Sequence, residues 1–225
     1  MAPQLVAESV LPRLLGYTAP HLGSVDTVQR WESFHIDGRH SGAIFRDVTP
    51  ERLLTRVAFP LDEDEAYLVE SSIVRDGSSW QSLTFWQQWG DVIVSAQRGP
   101  HTELSMPGYG EFLLLESMIA QGQTRLDFEA IIDSAPVGPS ATAWMELMGP
   151  DEIPSLDGRS ERGHRIDVRI ADAVTSSHWV KDSRIVASDW NGALSFLQKS
   201  ADDALLGVDQ GLVAFLRGGR SALPA

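Results

Sequence analysis

The spacing of apolar positions divides the chain into a helical start, a long strand-rich middle and a helical end. Residues 3–16 place Leu5, Val6, Val10, Leu11, Leu14 and Leu15 three and four apart, which predicts a short amphipathic helix despite Pro12. From Trp31 the period changes to two. The runs WESFHI, SGAIFRDV, RLLTRVAF, AYLVESSIV, SLTFWQQW and DVIVSAQ, six to nine residues each, alternate and predict strands, with Asp37-Gly38 and Asp76-Gly77 supplying the turn residues between runs. An antiparallel meander is expected.

A continuous apolar run then interrupts the alternation and predicts a helix over residues 110–123. Further strands are expected at Phe128–Asp133, Ala141–Leu147, Arg165–Ala171 and Trp179–Ser188, and Asn191-Gly192 turns the chain into a last one, Ala193–Gln198. The segment from Gly149 to Gly163, rich in Pro, Gly, Asp and Ser, reads as a mobile loop or lid. In SADDALLGVDQGLVAFLRGG, Ser200 stands as an N-cap with Asp203 at N3, before an apolar stripe and a Gly218-Gly219 stop. That end is predicted helical, weakened by Gly207 and Gly211. The expected units are a helical segment over 1–30, strands over 31–79, a main domain over 80–200 and a C-terminal helix and tail over 201–225.

Composition changes this picture in three ways. A 43% apolar fraction and seven Trp in 225 residues supply a real core. The net charge of −13 repels phosphate backbones and anionic lipid, so no nucleic-acid or membrane partner is expected. The absence of Cys excludes disulfides, thiolate metal sites and a cysteine nucleophile. The first residues lack a basic start with a 7–15-residue apolar core, and no 18-residue apolar run occurs, so the expected location is cytoplasmic. The acidic run at 62–65 reads as a solvated turn.

The most informative stretch is MPGYGEFLLLESMIAQ, where Glu116 sits inside the apolar run. At 100° per residue, Phe112, Leu113, Ile119 and Ala120 lie within about 60° of it, so its carboxylate is on an apolar face. Such a group either works as a general acid or base with a raised pKa, or buries only its stem and pairs with an arginine such as Arg125 or Arg98. His35 and His40 bracket the HIDGRH turn, but a surface hairpin is the ordinary place for such a pair, and no metal site is assigned. His164 and His178 show no ligand spacing. Phe85 and Trp86 point to opposite faces of one strand, so its outer face needs a cover, from a dimer partner or the C-terminal helix.

Met106-Pro107-Gly108 followed by Leu113 through Gln121, with LTFWQQWGDVIVSAQ before and RIVASDWNGALSFLQ after, resembles the hot-dog-fold acyl-thioester enzymes, the 3-hydroxyacyl carrier-protein dehydratases and thioesterases. The resemblance covers roughly residues 80–200. It implies an α+β fold in which an antiparallel sheet wraps one central apolar helix, with flanking N- and C-terminal helices, and residues 31–79 as a shortened first unit of a double hot-dog. It also implies dehydration, hydration or hydrolysis of an acyl or polyketide thioester, on a carrier protein or coenzyme A, by a homodimer without a cofactor. The implied catalytic residues are Glu116, His101 and Gln121. Gln121 follows Glu116 by five residues where the family has four, which leaves Ser117 as an alternative occupant of the acid's place. The family's Phe-Pro-Gly-His-Pro loop is missing, and His101 is the nearest histidine. The competing expectation is a small-molecule-binding or cyclase-type β-barrel, in which the same helix lids a pocket and no residue titrates. An interaction domain presenting its aromatic strands is a third.

Overall fold

A computed structural model describes residues 28–223 except 63, 64, 77, 78, 100, 102 and 103, so the helix expected at residues 3–16 lies outside the described residues. The six alternating runs are strands: β1 (Val28–Ile36), β2 (Arg39–Val48), β3 (Arg52–Pro60), β4 (Ala66–Asp76), β5 (Ser79–Gln87) and β6 (Val92–Gln97). After a three-residue strand β7 (Ser105–Pro107) and one 3-10 turn at Gly108–Gly110 comes helix α1 (Glu111–Gln121). Gly122 stops it in the left-handed conformation at φ 63°, its N–H returning to the carbonyls of Met118 and Ile119.

The second half is again strand on strand: β8 (Arg125–Ile131), β9 (Ala141–Ile153), β10 (Glu161–Ile170), β11 (Ala173–Lys181), β12 (Arg184–Trp190) and β13 (Ala193–Leu197). All pair in one 13-stranded sheet in the order β6-β5-β4-β3-β2-β1-β13-β12-β11-β10-β9-β8-β7. Every pairing is antiparallel except β7 with β8. The first and last long strands, β1 and β13, are hydrogen-bonded neighbours, which joins the two halves without a break. At the ends of the order, fully buried Trp80 on β5 donates Nε1–H to Ser105 Oγ on β7 at 3.3 Å, so the sheet curls back toward itself as a β-barrel-like wall.

This corrects the fold expected from the hot-dog resemblance. The α+β fold, a sheet of residues 80–200 around one long central helix, is not what forms. One sheet runs from residue 28 to 197, and the apolar run makes only an 11-residue helix of about three turns inside it. Two local differences enlarge the sheet. The segment 149–163 is mostly β9 and β10, paired as far out as Ile153 with Glu161. The stretch expected as one strand at Trp179–Ser188 is a hairpin, with Asp182 and Ser183 at φ 50° and 60° in the two-residue turn. The acyl-thioester activities, whether dehydratase, thioesterase, lyase or hydrolase, rest on the same resemblance and fall with it.

Two cores result from alternation along the strands. Inward residues such as Phe34, Ile44, Leu53, Val57, Val69 and Ile73 meet Leu113, Leu115, Met118 and Ile119 of α1 and, from the far wall, Ile166, Val168, Val180 and Ile185. Outward residues Ala43, Phe45, Ala58, Leu68 and Trp86 meet two C-terminal helices, α2 (Ala201–Leu205) and α3 (Gln210–Gly218). The N-cap at Ser200 forms, its Oγ accepting from Asp203 N–H at 3.1 Å, but Gly207 at φ 80° splits the expected single helix. Phe215 covers Trp86 at 5.6 Å between ring centroids, so the C-terminal helix is the cover that strand needed. Arg56 fastens it, bonding Glu70 through Nε and the carbonyls of Leu216 and Arg217 through Nη1.

Candidate functional site: a cavity inside the barrel

Between β1–β4, β11, β12 and the start of α1 lies a cavity of about 350 Å³. Most of its wall is apolar or aromatic, including Phe34, Ile44, Val57, Phe59, Leu115 and Trp190. Into this wall the sheet also turns charges. Arg30, Glu32 and Phe34 occupy successive inward positions of β1, and the antiparallel register sets Arg30 directly opposite Arg46 of β2. Two guanidiniums facing each other on one sheet face repel, so a carboxylate is needed between them.

Glu32 is that carboxylate. It accepts from Arg30 Nε at 2.7 Å, from Arg46 Nη1, and from Ser195 Oγ at 2.7 Å, and is itself 2% exposed. Burial alone raises a carboxyl pKa, but here Arg46 and Arg30 outweigh it and hold Glu32 at about 2. Arg30 also donates Nη2–H to the Ile185 carbonyl at 2.6 Å, which ties the two walls. Phe112 of α1 lies under both guanidiniums, at 5.3 Å from Arg30 and 4.8 Å from Arg46.

A second polar group surrounds the helix start. Asp133, just beyond β8, accepts from Tyr109 N–H at 3.4 Å, and a side chain in place of Gly108 would meet its Oδ2 at 2.7 Å, so glycine permits the close approach. Burial pushes Asp133 up to about 7. Burial, and then the neighbouring Asp133, push Glu111 up to about 8. Tyr109 and Tyr67 share a hydrogen bond at 3.2 Å between hydroxyls. His178 on β11 bridges Ser176 Oγ at 2.9 Å and Ser188 Oγ at 2.8 Å, and burial, with Arg46 adding to it, lowers its pKa to about 3. It is a neutral imidazole.

The residues implied by the resemblance fall elsewhere. Glu116 is half-buried on α1 and does not line the cavity; burial raises its pKa, while Arg30, Arg46 and Arg184 act against the rise. Arg125 pairs with Asp127 and Arg98 donates to Ser79 Oγ. His101 bonds the Pro136 carbonyl at 2.7 Å, and Gln121 is exposed and donates to Ser117 Oγ at 2.9 Å. None of the three lines the cavity. His35 and His40 do meet, stacked at 4.9 Å, and burial, then His40, lower the His35 pKa to about 4; no cluster of three metal-ligating side chains occurs among the described residues. Missed by the pattern were Arg30, Glu32, Arg46, Tyr109, Asp133 and His178. The available signal was R-x-E-x-F in β1 opposite I-x-R in β2, charges at the very positions whose period places them inside.

No protein-family model matches the chain, and no curated protein matches it. Among solved structures the chain is similar to a β-barrel-like protein of domain of unknown function DUF1849 from Brucella abortus, at 9% identity and a TM-score of 0.48, over 77% of this chain and 96% of that one. The barrel-like curl is carried by this chain's own strand order and the Trp80–Ser105 contact between β5 and β7. No helix among the described residues is long and apolar enough to cross a membrane.

Proposed function

We propose that the protein binds a small, largely apolar molecule inside the barrel, as a binding protein in which the wall positions the ligand and no wall residue has to exchange a proton with it. The observation that carries this reading is the cavity itself. At about 350 Å³ it falls at the lower end of ligand pockets, which span roughly 300–1,000 Å³. Apolar walls with a few converging polar groups are the usual make-up of such pockets. His178 supports binding over chemistry, because its low pKa makes it a poor base at neutral pH and both ring nitrogens are already engaged by serines.

The test is a titration with the neutral fluorophore N-phenyl-1-naphthylamine, followed by its emission and by quenching of tryptophan, since Trp190 lines the cavity. Saturable binding at one site is expected. Val57→Phe fills the cavity from β3 and is expected to weaken the probe by about tenfold or more with the sheet retained, checked by circular dichroism. Unchanged binding in that variant, or none in the native chain, overturns the reading.

A further inference from the structure

The cavity holds two guanidiniums and a single carboxylate bonded to them, and this inequality identifies the ligand's head. We propose that the ligand carries one carboxylate, seated against Arg46 and Arg30, with its apolar body along Phe34, Ile44, Val57 and Phe59; this rests on the binding reading above.

The register is the first reason. Arg30 and Arg46 are directly opposed cross-strand partners on the inward face, an arrangement that costs free energy unless something negative sits between or beside them. Glu32 answers one of the two charges and has little more to give, because it already accepts from Arg30, Arg46 and Ser195. The donors are the second reason. Arg46 is 4% exposed, yet among the described residues only its Nη1 has an acceptor, and its Nε has none. A guanidinium has five N–H donors in a planar fork that matches a carboxylate in two-point contact. Leaving such donors unmatched in a low-dielectric interior is expensive, and a ligand carboxylate removes that cost.

The other groups facing this point do not supply the missing charge. Phe112 contributes only its ring face, from α1. His178 on β11 is neutral, and Tyr109 is held protonated by burial. Glu116 on α1 is close enough to act on Arg46, but hydrogen-bonds to neither arginine among the described residues, and Arg184 on β12 opposes its charge. Near the helix start, Glu111 largely keeps its proton at neutral pH and Asp133 about half of its own, and neither hydrogen-bonds to Arg30 or Arg46 among the described residues. Against the two guanidiniums an ammonium head is repelled, whereas a carboxylate is attracted.

The experiment compares octanoate, 1-octanol and octylamine, three heads on one chain, by calorimetric titration of the full protein at pH 7.4. Octanoate is expected to bind at least roughly tenfold tighter than octanol, the gain typical of hydrogen bonds to a charged group, and octylamine weakest. Arg46→Met is expected to bring octanoate down to the level of octanol, and Arg46→Lys, which keeps the charge but not the fork, to give an intermediate ratio. Octanol or octylamine matching octanoate in the native protein overturns the carboxylate head while leaving the binding reading intact. Failure of all three together with the neutral fluorophore overturns the binding reading itself. Should Arg46→Met not fold, the native series and Arg46→Lys decide.

Discussion

Glu32 and Glu111 line one cavity and carry the same carboxyl group, yet the fold holds them in opposite protonation states. Glu32 lies between two guanidiniums and a serine hydroxyl, which take its pKa down to about 2 against the burial that pulls the other way. Glu111 stands at the start of α1 beside another carboxyl group, and burial and that neighbour take it up to about 8. Burial is common to both. What differs is the partner, so desolvation alone says nothing about the charge of a buried acid, and position within the register decides it. Glu32 gains its partners because the period-two pattern of β1 and β2 brings Arg30 and Arg46 to the same inward face. Glu111 gains none because the helix start packs against Asp133.

The most damaging way to break the comparison is Glu32→Gln. Two opposed guanidiniums are then left in the interior with only neutral acceptors, and removing one partner of a buried ion pair costs roughly 3–5 kcal/mol. The unfolding free energy from urea titration at pH 7 is expected to drop by that order, and part of it to return in Glu32→Gln/Arg46→Met, where one guanidinium is gone as well. A loss below about 1 kcal/mol would mean that solvent, not Glu32, neutralises the arginines.

The next effect is on pH dependence, and its sign is opposite for the two acids. Because the folded pKa of Glu32 is depressed, its contribution to stability is present above about 4.5 and disappears as pH falls toward about 2. Glu111 is raised, so the unfolded chain releases its proton first; stability is lost as pH rises from about 4.5 to about 8 and then levels off. Asp133 runs the same way from about 3.8 to about 7. Glu111→Gln is therefore expected to match the native chain at pH 4 and to exceed it by roughly 2–4 kcal/mol at pH 8, in denaturant titrations at a series of pH values. Equal stability of the two chains at both pH values contradicts the assignment.

The sheet was largely legible because its signals are local. Alternation marked β1 to β6, and Asp37-Gly38 and Asn191-Gly192 marked two of the tight turns. The turns at Ala171-Asp172 and Asp182-Ser183 were not, since they reach positive φ without glycine, and two strands read as one. The global fold was misread for a different reason. An apolar run beside hairpins looks alike whether the sheet around it has a few strands or 13, and only the long-range pairing of β1 with β13 tells them apart. The site was hidden behind the same limit. Glu116 drew attention as a charge in an apolar helix, whereas Arg30, Glu32 and Arg46 look like ordinary surface charges until the register turns them inward. Two of the three partners of Glu32 lie 14 and 163 residues away in the chain.

Glu116 itself gives the smallest and sharpest test of the contrast between paired and unpaired acids. It shares the field of Arg30 and Arg46 with Glu32 but lacks a hydrogen bond to either among the described residues, and its pKa is shifted up by burial where that of Glu32 is shifted down. If Glu32 is the structural counter-ion and Glu116 only a distant one, Glu116→Gln changes stability at pH 7 by less than about 1 kcal/mol, as for a weakly coupled partly exposed charge. The same substitution removes whatever negative charge Glu116 adds to the field that a ligand carboxylate enters, so octanoate is expected to tighten by no more than about two- to threefold while octanol does not change, at the scale of a single screened charge. The opposite pattern, a stability loss as large as that of Glu32→Gln, would make Glu116 the partner that Arg46 relies on and would leave no unmatched charge for a ligand to meet.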